Sequence, residues 1–352
     1  MGSVSLWARN APPAMAMTVL IGLAVLYGGG PPTSQPTASE SVRLGYFPNV
    51  THAPAMVGIA RGAFQKALGR KVAVEAKVFN AGPEEMEALL AGAIDIGYVG
   101  PGPAINTFLK SKGRALKILA GACEGGAALV ARPDAHIGSI RDLAGKRVAV
   151  PQLGGTQDIS LRHFLAAEGL QPQEKGGSVQ ILPIKNPDIL TLFRKGQLDA
   201  AWVPEPWTTR LLHEGGAQLV VDERDLWPEK RFTTTVVIVR KAYLEQHPEQ
   251  VQAFLQAHLQ AVAWLSQHPA EGQAAVNAEL KRLTGKPLKN EVLSEAWGRV
   301  AFSADPNRAN IEAFIAAAAD AGYLPPRAVR VAELLDTGPL ESVQRSASAA
   351  AR

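Results

Sequence analysis

A single cysteine, Cys123, in 352 residues excludes an intrachain disulfide and any zinc site built on paired thiolates. Charge is sparse as well. Only 19% of residues are Asp, Glu, Lys or Arg, and the 36 cations form no basic run. Nucleic-acid binders gather their cations on one face or stripe, so dispersed cations argue against nucleic acid as a partner. Enzyme signatures are missing in turn: no G-x-S-x-G elbow, no G-x-x-x-x-G-K-[ST] loop, no G-x-G-x-x-G fingerprint and no H-E-x-x-H pair. The expectation is therefore a chain without catalytic residues, cofactor or metal, in which Cys123 is a small buried thiol.

Long apolar runs are also scarce. The one that stands out, Thr18 to Tyr27, has the length of a signal-peptide core and falls short of a membrane span of about 18 residues or more. Arg9 is the only charge ahead of it, Gly28-Gly29-Gly30-Pro31-Pro32 breaks it, and Thr33 to Ser41 is polar and linker-like. Residues 1–40 therefore read as a leader and linker. The remainder is expected in the periplasm, or on the outer face of the cytoplasmic membrane where the leader stays uncleaved.

What the chain has in place of motifs is a near-copy of itself. Pro83-Glu84, Leu89 and Gly92-Ala93-Ile94-Asp95-Ile96-Gly97-Tyr98-Val99 are matched 104 positions later by Pro187-Asp188, Phe193 and Gly196-Gln197-Leu198-Asp199-Ala200-Ala201-Trp202-Val203, without a gap. Each copy reads as a helix, a glycine stop, a short strand and the entry to another helix. Two copies at this distance do not make a solenoid, whose period is about 20–50 residues. They predict two similar α/β lobes around a cleft.

Strands and helices alternate from Val42 onward, as in parallel sheets with covering helices. Strands are expected at 42–47, 71–78, 94–99 and 116–120, then at 147–150, 179–184 and 219–222. Asn186-Pro187-Asp188 has the form of an N-cap, a first-turn proline and an acidic first turn. Thr233 to Val239 reads as a strand crossing back, and after Tyr243 only helices follow, with Val251, Phe254, Leu255, His258, Val262 and Leu265 on one stripe. The expected organisation is lobe 1 over 41–128 and 233–337, lobe 2 over 129–232, C-terminal helices on lobe 1, and a flexible tail over 338–352.

Ligands of open α/β sheets sit beyond the carboxyl ends of strands, where helices begin. Four such turns stand out: Phe47 to His52, Val99 to Pro103, Pro151 to Asp158 and Val203 to Trp207. The free N–H groups of a helix start, with the positive end of its dipole, form a ready anion site. Thr51, Thr156 and Gln157 would add donors, and Gly154-Gly155 would let backbone come close. Asp158, Glu205 and Glu124 would suit a cationic or hydroxyl part of the ligand, or simply cap helices; Trp202 and Tyr98 would stack on it or pack in a core. His52 is the histidine best placed for a polar contact.

The segments Ile94 to Phe108, Val148 to Arg162 and Asn186 to Trp207 resemble the substrate-binding proteins of ABC importers, in the aliphatic sulfonate/nitrate/taurine family. The resemblance runs from about Val42 to Leu324. It implies an α/β, two-lobed, type II periplasmic-binding-protein fold that closes on a small organic anion, an aliphatic sulfonate first, with nitrate or taurine as alternatives. A monomer would deliver that ligand to a permease and its ATPase and perform no chemistry. By motif position the ligand would meet Asn49, Thr51, His52, Gly100, Pro101, Glu124, Gly155, Thr156, Gln157, Asp158, Trp202 and Glu205. Two alternatives stay open: a same-fold enzyme of thiamine-pyrimidine synthesis working through His52, and a ligand-sensing module.

Overall fold

The structure, a computed structural model, describes residues 40–325 and 329–350. The expected leader and linker, apart from Glu40, lie outside them. The described chain opens with β1 (Glu40–Tyr46), α1 (Ala53–Ala60), α2 (Ala63–Leu68), β2 (Val72–Val78), α3 (Gly82–Leu90), β3 (Ile96–Val99), α4 (Pro101–Lys110) and β4 (Leu116–Gly125). A second series follows: β5 (Ala127–Ala131), β6 (Arg147–Val150), α5 (Thr156–Ala167), β7 (Gln180–Pro183), α6 (Asn186–Arg194), β8 (Ala200–Pro204), α7 (Trp207–Gly215) and β9 (Gln218–Asp222). The chain then returns through β10 (Thr233–Arg240) and ends in α8 (Lys241–Gln246), α9 (Pro248–Gln267), α10 (Pro269–Thr284), α11 (Asn290–Gly298), β11 (Val300–Ala301), α12 (Arg308–Asp320), α13 (Val331–Leu334) and α14 (Gly338–Ala350).

These strands form two sheets, ordered β11-β4-β10-β3-β1-β2 and β7-β6-β8-β5-β9. The match between copies extends to pairing. In the first sheet β1 lies parallel between β2 and β3; in the second β6 lies parallel between β7 and β8. Parallel neighbours need a crossover, and the helices between them supply it. An antiparallel strand from the other end of its lobe then completes each set, β10 beside β3 and β5 beside β8.

The first crossing between sheets is made at Gly125 and Gly126, with φ of +70° and +73°. Two successive left-handed residues favour glycine on conformational grounds, and packing forbids anything larger. A Cβ on Gly125 would lie 2.6 Å from the Arg299 carbonyl oxygen, and one on Gly126 would lie 2.4 Å from Val300 Cγ1.

Apolar side chains continue from one lobe into the other. Trp227, on the return segment, has ring centroids 5.1 Å from Phe232, 5.5 Å from Phe314 of α12 and 5.3 Å from Phe164 of α5. The helices after β10 pack mainly on the first sheet's helices, α9 against α1 and α2, while α12 leans on both α4 and α5. The tail expected to be flexible from residue 338 is instead helix α14, packed on α9. Leu340 is buried and Val343, one turn on, joins the same apolar cluster, an anchor too short to stand out among the surrounding Ser and Ala.

Candidate functional site

A cavity lies where the C-terminal ends of the strands of both sheets face each other. The centre of a water molecule can occupy about 40 Å³ of it, room for a solute of a few heavy atoms. Its wall is built from helix beginnings: Asn80, Ala81 and Gly82 at α3, Gly100 and Pro103 at α4, Gly155, Thr156 and Gln157 at α5, Asn186 at α6, and Thr51 and His52 in the short turn ahead of α1.

Local sequence explains why the starts of α3 and α5 remain available, while in α4 two prolines flank Gly102, whose N–H donates to Thr156 Oγ1. The residues preceding α3, α4 and α5 are Ala81, Gly100 and Gly155, none of which can cap with a side chain. Prolines occupy the first turns of α3, α4 and α6, where a missing N–H costs nothing. Among the described residues no protein acceptor meets the backbone N–H of Gly82, Thr156 or Gln157. Side chains add to this deficit. Thr235 Oγ1 and Asn186 Oδ1 are buried without a partner among the described residues, a condition that buried polar groups usually avoid. Asn186, expected to cap α6, is its first residue and faces the cavity.

The described wall contains no Asp, Glu, Lys or Arg. His52, its one titratable side chain of ordinary pKa near neutrality, is 2% exposed, and burial pulls its pKa down to about 3. Its Nδ1 accepts the Phe47 N–H at 3.3 Å, so the neutral ring carries its proton on Nε2 as a donor. The site offers partial positive charge from backbone dipoles and no formal charge. Helix N-termini favour an anion without one.

Seven of the twelve residues expected at the ligand line this cavity: Asn49, Thr51, His52, Gly100, Gly155, Thr156 and Gln157. Five stand outside its wall. Pro101 is buried behind Gly100 in α4. Glu124 accepts from Arg231 Nε at 2.9 Å. Asp158 accepts from the Gly154 N–H at 2.7 Å, Arg162 Nε at 2.8 Å and the Tyr323 hydroxyl, so it holds the Gly154-Gly155 turn in place. Trp202 is wholly buried on the core side of β8, its Nε1 donating to Glu223 at 2.8 Å. Glu205 accepts from the Thr209 N–H at 3.1 Å and hydroxyl at 2.9 Å, with Arg299 Nε 3.3 Å away. Tyr98, the counterpart of Trp202, is likewise a core residue, bonded through its hydroxyl to His258 Nδ1 at 2.8 Å. For every one of these except Pro101, a neighbour already satisfies the polar group.

Other wall residues escaped the sequence reading. Asn186 lies 104 positions after Gly82, so the repeat carried a signal for both. Thr234 and Thr235 carried none, because only the sheet order brings β10 into the cleft. Hydrogen bonds that join the lobes around the cavity include Val50 N–H to the Glu205 carbonyl at 3.2 Å, Trp207 Nε1 to Asn49 Oδ1 at 3.1 Å, Gly102 N–H to Thr156 Oγ1 at 3.3 Å and Gly154 N–H to the Tyr323 hydroxyl at 3.2 Å.

Two linked α/β lobes meeting over an uncharged cavity ringed by helix starts define a two-lobed binding-protein fold. The chain belongs to the NMT1-like family, whose pattern matches residues 35–280. It is 30% identical over 208 residues to the taurine-binding periplasmic protein of Escherichia coli (strain K12), a match covering 59% of this chain and 62% of that one. The chain thus spans less than two thirds of the length of the curated relatives it matches. Among solved structures, the alkanesulfonate-binding protein SsuA from Xanthomonas axonopodis pv. citri, bound to MOPS, superposes with a TM-score of 0.70 at 23% identity, covering 84% of this chain and 98% of that one. The periplasmic nitrate-binding protein NrtA from Synechocystis PCC 6803 also gives a TM-score of 0.70, at 18% identity over 87% of this chain and 88% of that one.

Proposed function

We propose that this protein is the solute-binding component of an ABC importer, taking a small organic anion, an aliphatic sulfonate first, from the periplasm to a permease and its ATPase. It acts as a monomer without chemistry, with residues 41–128 and 233–337 moving as one lobe against 129–232. The observation that carries this reading is the charge-free described wall with free N–H groups at the start of α3 on one lobe and of α5 on the other. A sulfonate spreads one negative charge over three acceptor oxygens, which suits several weak backbone donors better than one cation. The absence of a carboxylate from the described wall leaves the ammonium of taurine without a charged partner, so a simple alkanesulfonate is favoured over taurine. The same absence leaves His52 without an acid–base partner, which weighs against the enzyme alternative.

The test is a thermal-shift panel on the exported protein with methanesulfonate, ethanesulfonate, taurine and nitrate. A ligand at a hundredfold excess over its dissociation constant adds about 2.7 kcal/mol to the folded state. Stabilisation by a simple sulfonate supports the reading, and indifference to the whole panel rejects it.

A further inference from the structure

We infer that Gly102 and Thr156 form a contact that limits how far the two lobes close, and through it the ligand affinity. The inference rests on the anion-binding reading above. Gly102 lies in the first turn of α4 in one lobe and Thr156 begins α5 in the other, and the Gly102 N–H donates to Thr156 Oγ1 at 3.3 Å. Thr156 lines the cavity and Gly102 does not. Because the threonine oxygen accepts from the opposite lobe, its own hydroxyl proton is free for the guest. One side chain thus answers both to the ligand and to the position of the other lobe.

Close approach here depends on missing side chains. A methyl carbon placed on Gly102 would lie 3.0 Å from Thr156 Cα, 3.2 Å from Thr156 N and 3.0 Å from Ile159 Cδ1, all in the opposing lobe. Carbon pairs rest at about 3.5–4.0 Å, so the start of α5 would have to give way by a few tenths of an ångström for alanine and by more for the bulkier valine. At neighbouring Gly100 the same carbon would fall 2.1 Å from Thr156 Oγ1. The nearest obstacles to Gly102 are all across the cleft, so a wedge there spares the folding of its own lobe.

The experiment measures solution scattering and binding kinetics for wild type, Gly102→Ala and Gly102→Val, with ethanesulfonate as probe and without it. The expected result is a graded loss of affinity, about tenfold for alanine and more for valine. It should come from faster dissociation with association nearly unchanged, alongside a ligand-free protein that still unfolds cooperatively and, for valine, a larger radius of gyration. Thr156→Val should also weaken binding and Thr156→Ser should restore it. Equal radii of gyration for wild type and Gly102→Val in every condition, or equal dissociation rates, overturn the proposal. A wild type that answers to no panel compound rejects the anion reading, and the ligand-free scattering comparison still decides this one.

Discussion

Arg43 and Asp95, 52 residues apart, are joined by three hydrogen bonds: backbone N–H to Oδ2 at 3.1 Å, Nε to Oδ2 at 2.7 Å, and a terminal guanidinium nitrogen to Oδ1 at 2.7 Å. Arg147 and Asp199 repeat the same set at 2.8, 3.0 and 2.7 Å, again 52 residues apart. Each pair ties a central strand to the turn leading into its neighbour. The surroundings differ. Asp95 is fully buried and also receives Arg240 at 2.7 Å, whereas the Asp199 side chain stays 20% exposed.

Asp95→Asn should therefore unfold the protein more easily than Asp199→Asn. Removing the buried partner strands two guanidinium groups and is expected to cost about 3–5 kcal/mol; the more exposed pair should cost about 1 kcal/mol. Burial pushes the Asp95 carboxyl up, but its bonds to Arg43 and Arg240 outweigh that and hold it below the usual range. Its stabilisation is thus present above the ordinary aspartate pKa and lost as pH falls through the depressed one. Urea unfolding of both variants at pH 7 and pH 4 checks the order; equal losses at pH 7 would contradict it.

The repeat made this symmetry legible. Asp95 and Asp199, the glycine stops, the alternation of strand and helix, and the helix starts at Gly100 and Gly155 can all be read from local pattern. Side-chain direction at the carboxylates could not. Whether Asp158 or Glu205 faces a ligand depends on Tyr323 and Arg299, which lie 165 and 94 positions away and arrive only through folding. Thr235 was hidden for the same reason: a strand's own sequence does not say which neighbours it will have.

The copies part company at one buried trio. Glu85 is buried with both carboxyl oxygens unpartnered among the described residues, and its space is cleared by the paired glycines Gly45 and Gly97. A Cβ would fall 2.3 Å from Glu85 Oε1 at Gly45 and 2.4 Å from it at Gly97. The positions 104 later are Ile189, Ala149 and Ala201, apolar and fully buried, with the two alanines paired in the same register. Installing that trio as Glu85→Ile, Gly45→Ala and Gly97→Ala should stabilise the protein at neutral pH by about 1–3 kcal/mol, the usual penalty of an unsatisfied buried polar group. Gly45→Ala alone should destabilise, a non-additivity expected of residues in contact.

The pH dependence of that gain follows from burial, which raises the Glu85 pKa well above its ordinary value. A carboxyl raised in this way favours the folded state below its unfolded pKa, and the benefit disappears as pH rises. The triple variant should gain least near pH 4 and most near pH 8. Melting curves across that range decide it, and a gain independent of pH would show that Glu85 keeps an ordinary pKa.

Thr235→Val removes a buried hydroxyl that has no partner within the described protein. Ligand-free stability should hold or rise, because an unsatisfied group is lost with little change in shape. Affinity for ethanesulfonate should fall about fivefold to tenfold, the worth of one hydrogen bond of roughly 1 kcal/mol. Titration calorimetry beside a melting curve separates the two effects. Lower stability with unchanged affinity would place the hydroxyl in the scaffold.

Binding should be flat with pH in the acid range and weaken in the alkaline one. A histidine titrating near its ordinary 6.5 would add positive charge on acidification and strengthen anion binding. Burial keeps His52 neutral down to about 3, so no such rise is expected between pH 5 and 6.5. Glu205 behaves oppositely. Burial pushes its carboxyl up to about 7, while the Thr209 bonds and Arg299 pull the other way. Its carbonyl already meets Val50 across the cleft, and Pro204 beside it lines the cavity. Above pH 7 its ionisation sets a negative charge next to a site that gathers negative charge, so sulfonate affinity should decline. Glu205→Gln should abolish that decline and leave the acid range unchanged. A wild-type affinity that climbs steadily on acidification from pH 8 to pH 5, with the same slope in Glu205→Gln, would mean that His52 titrates in contact with the ligand.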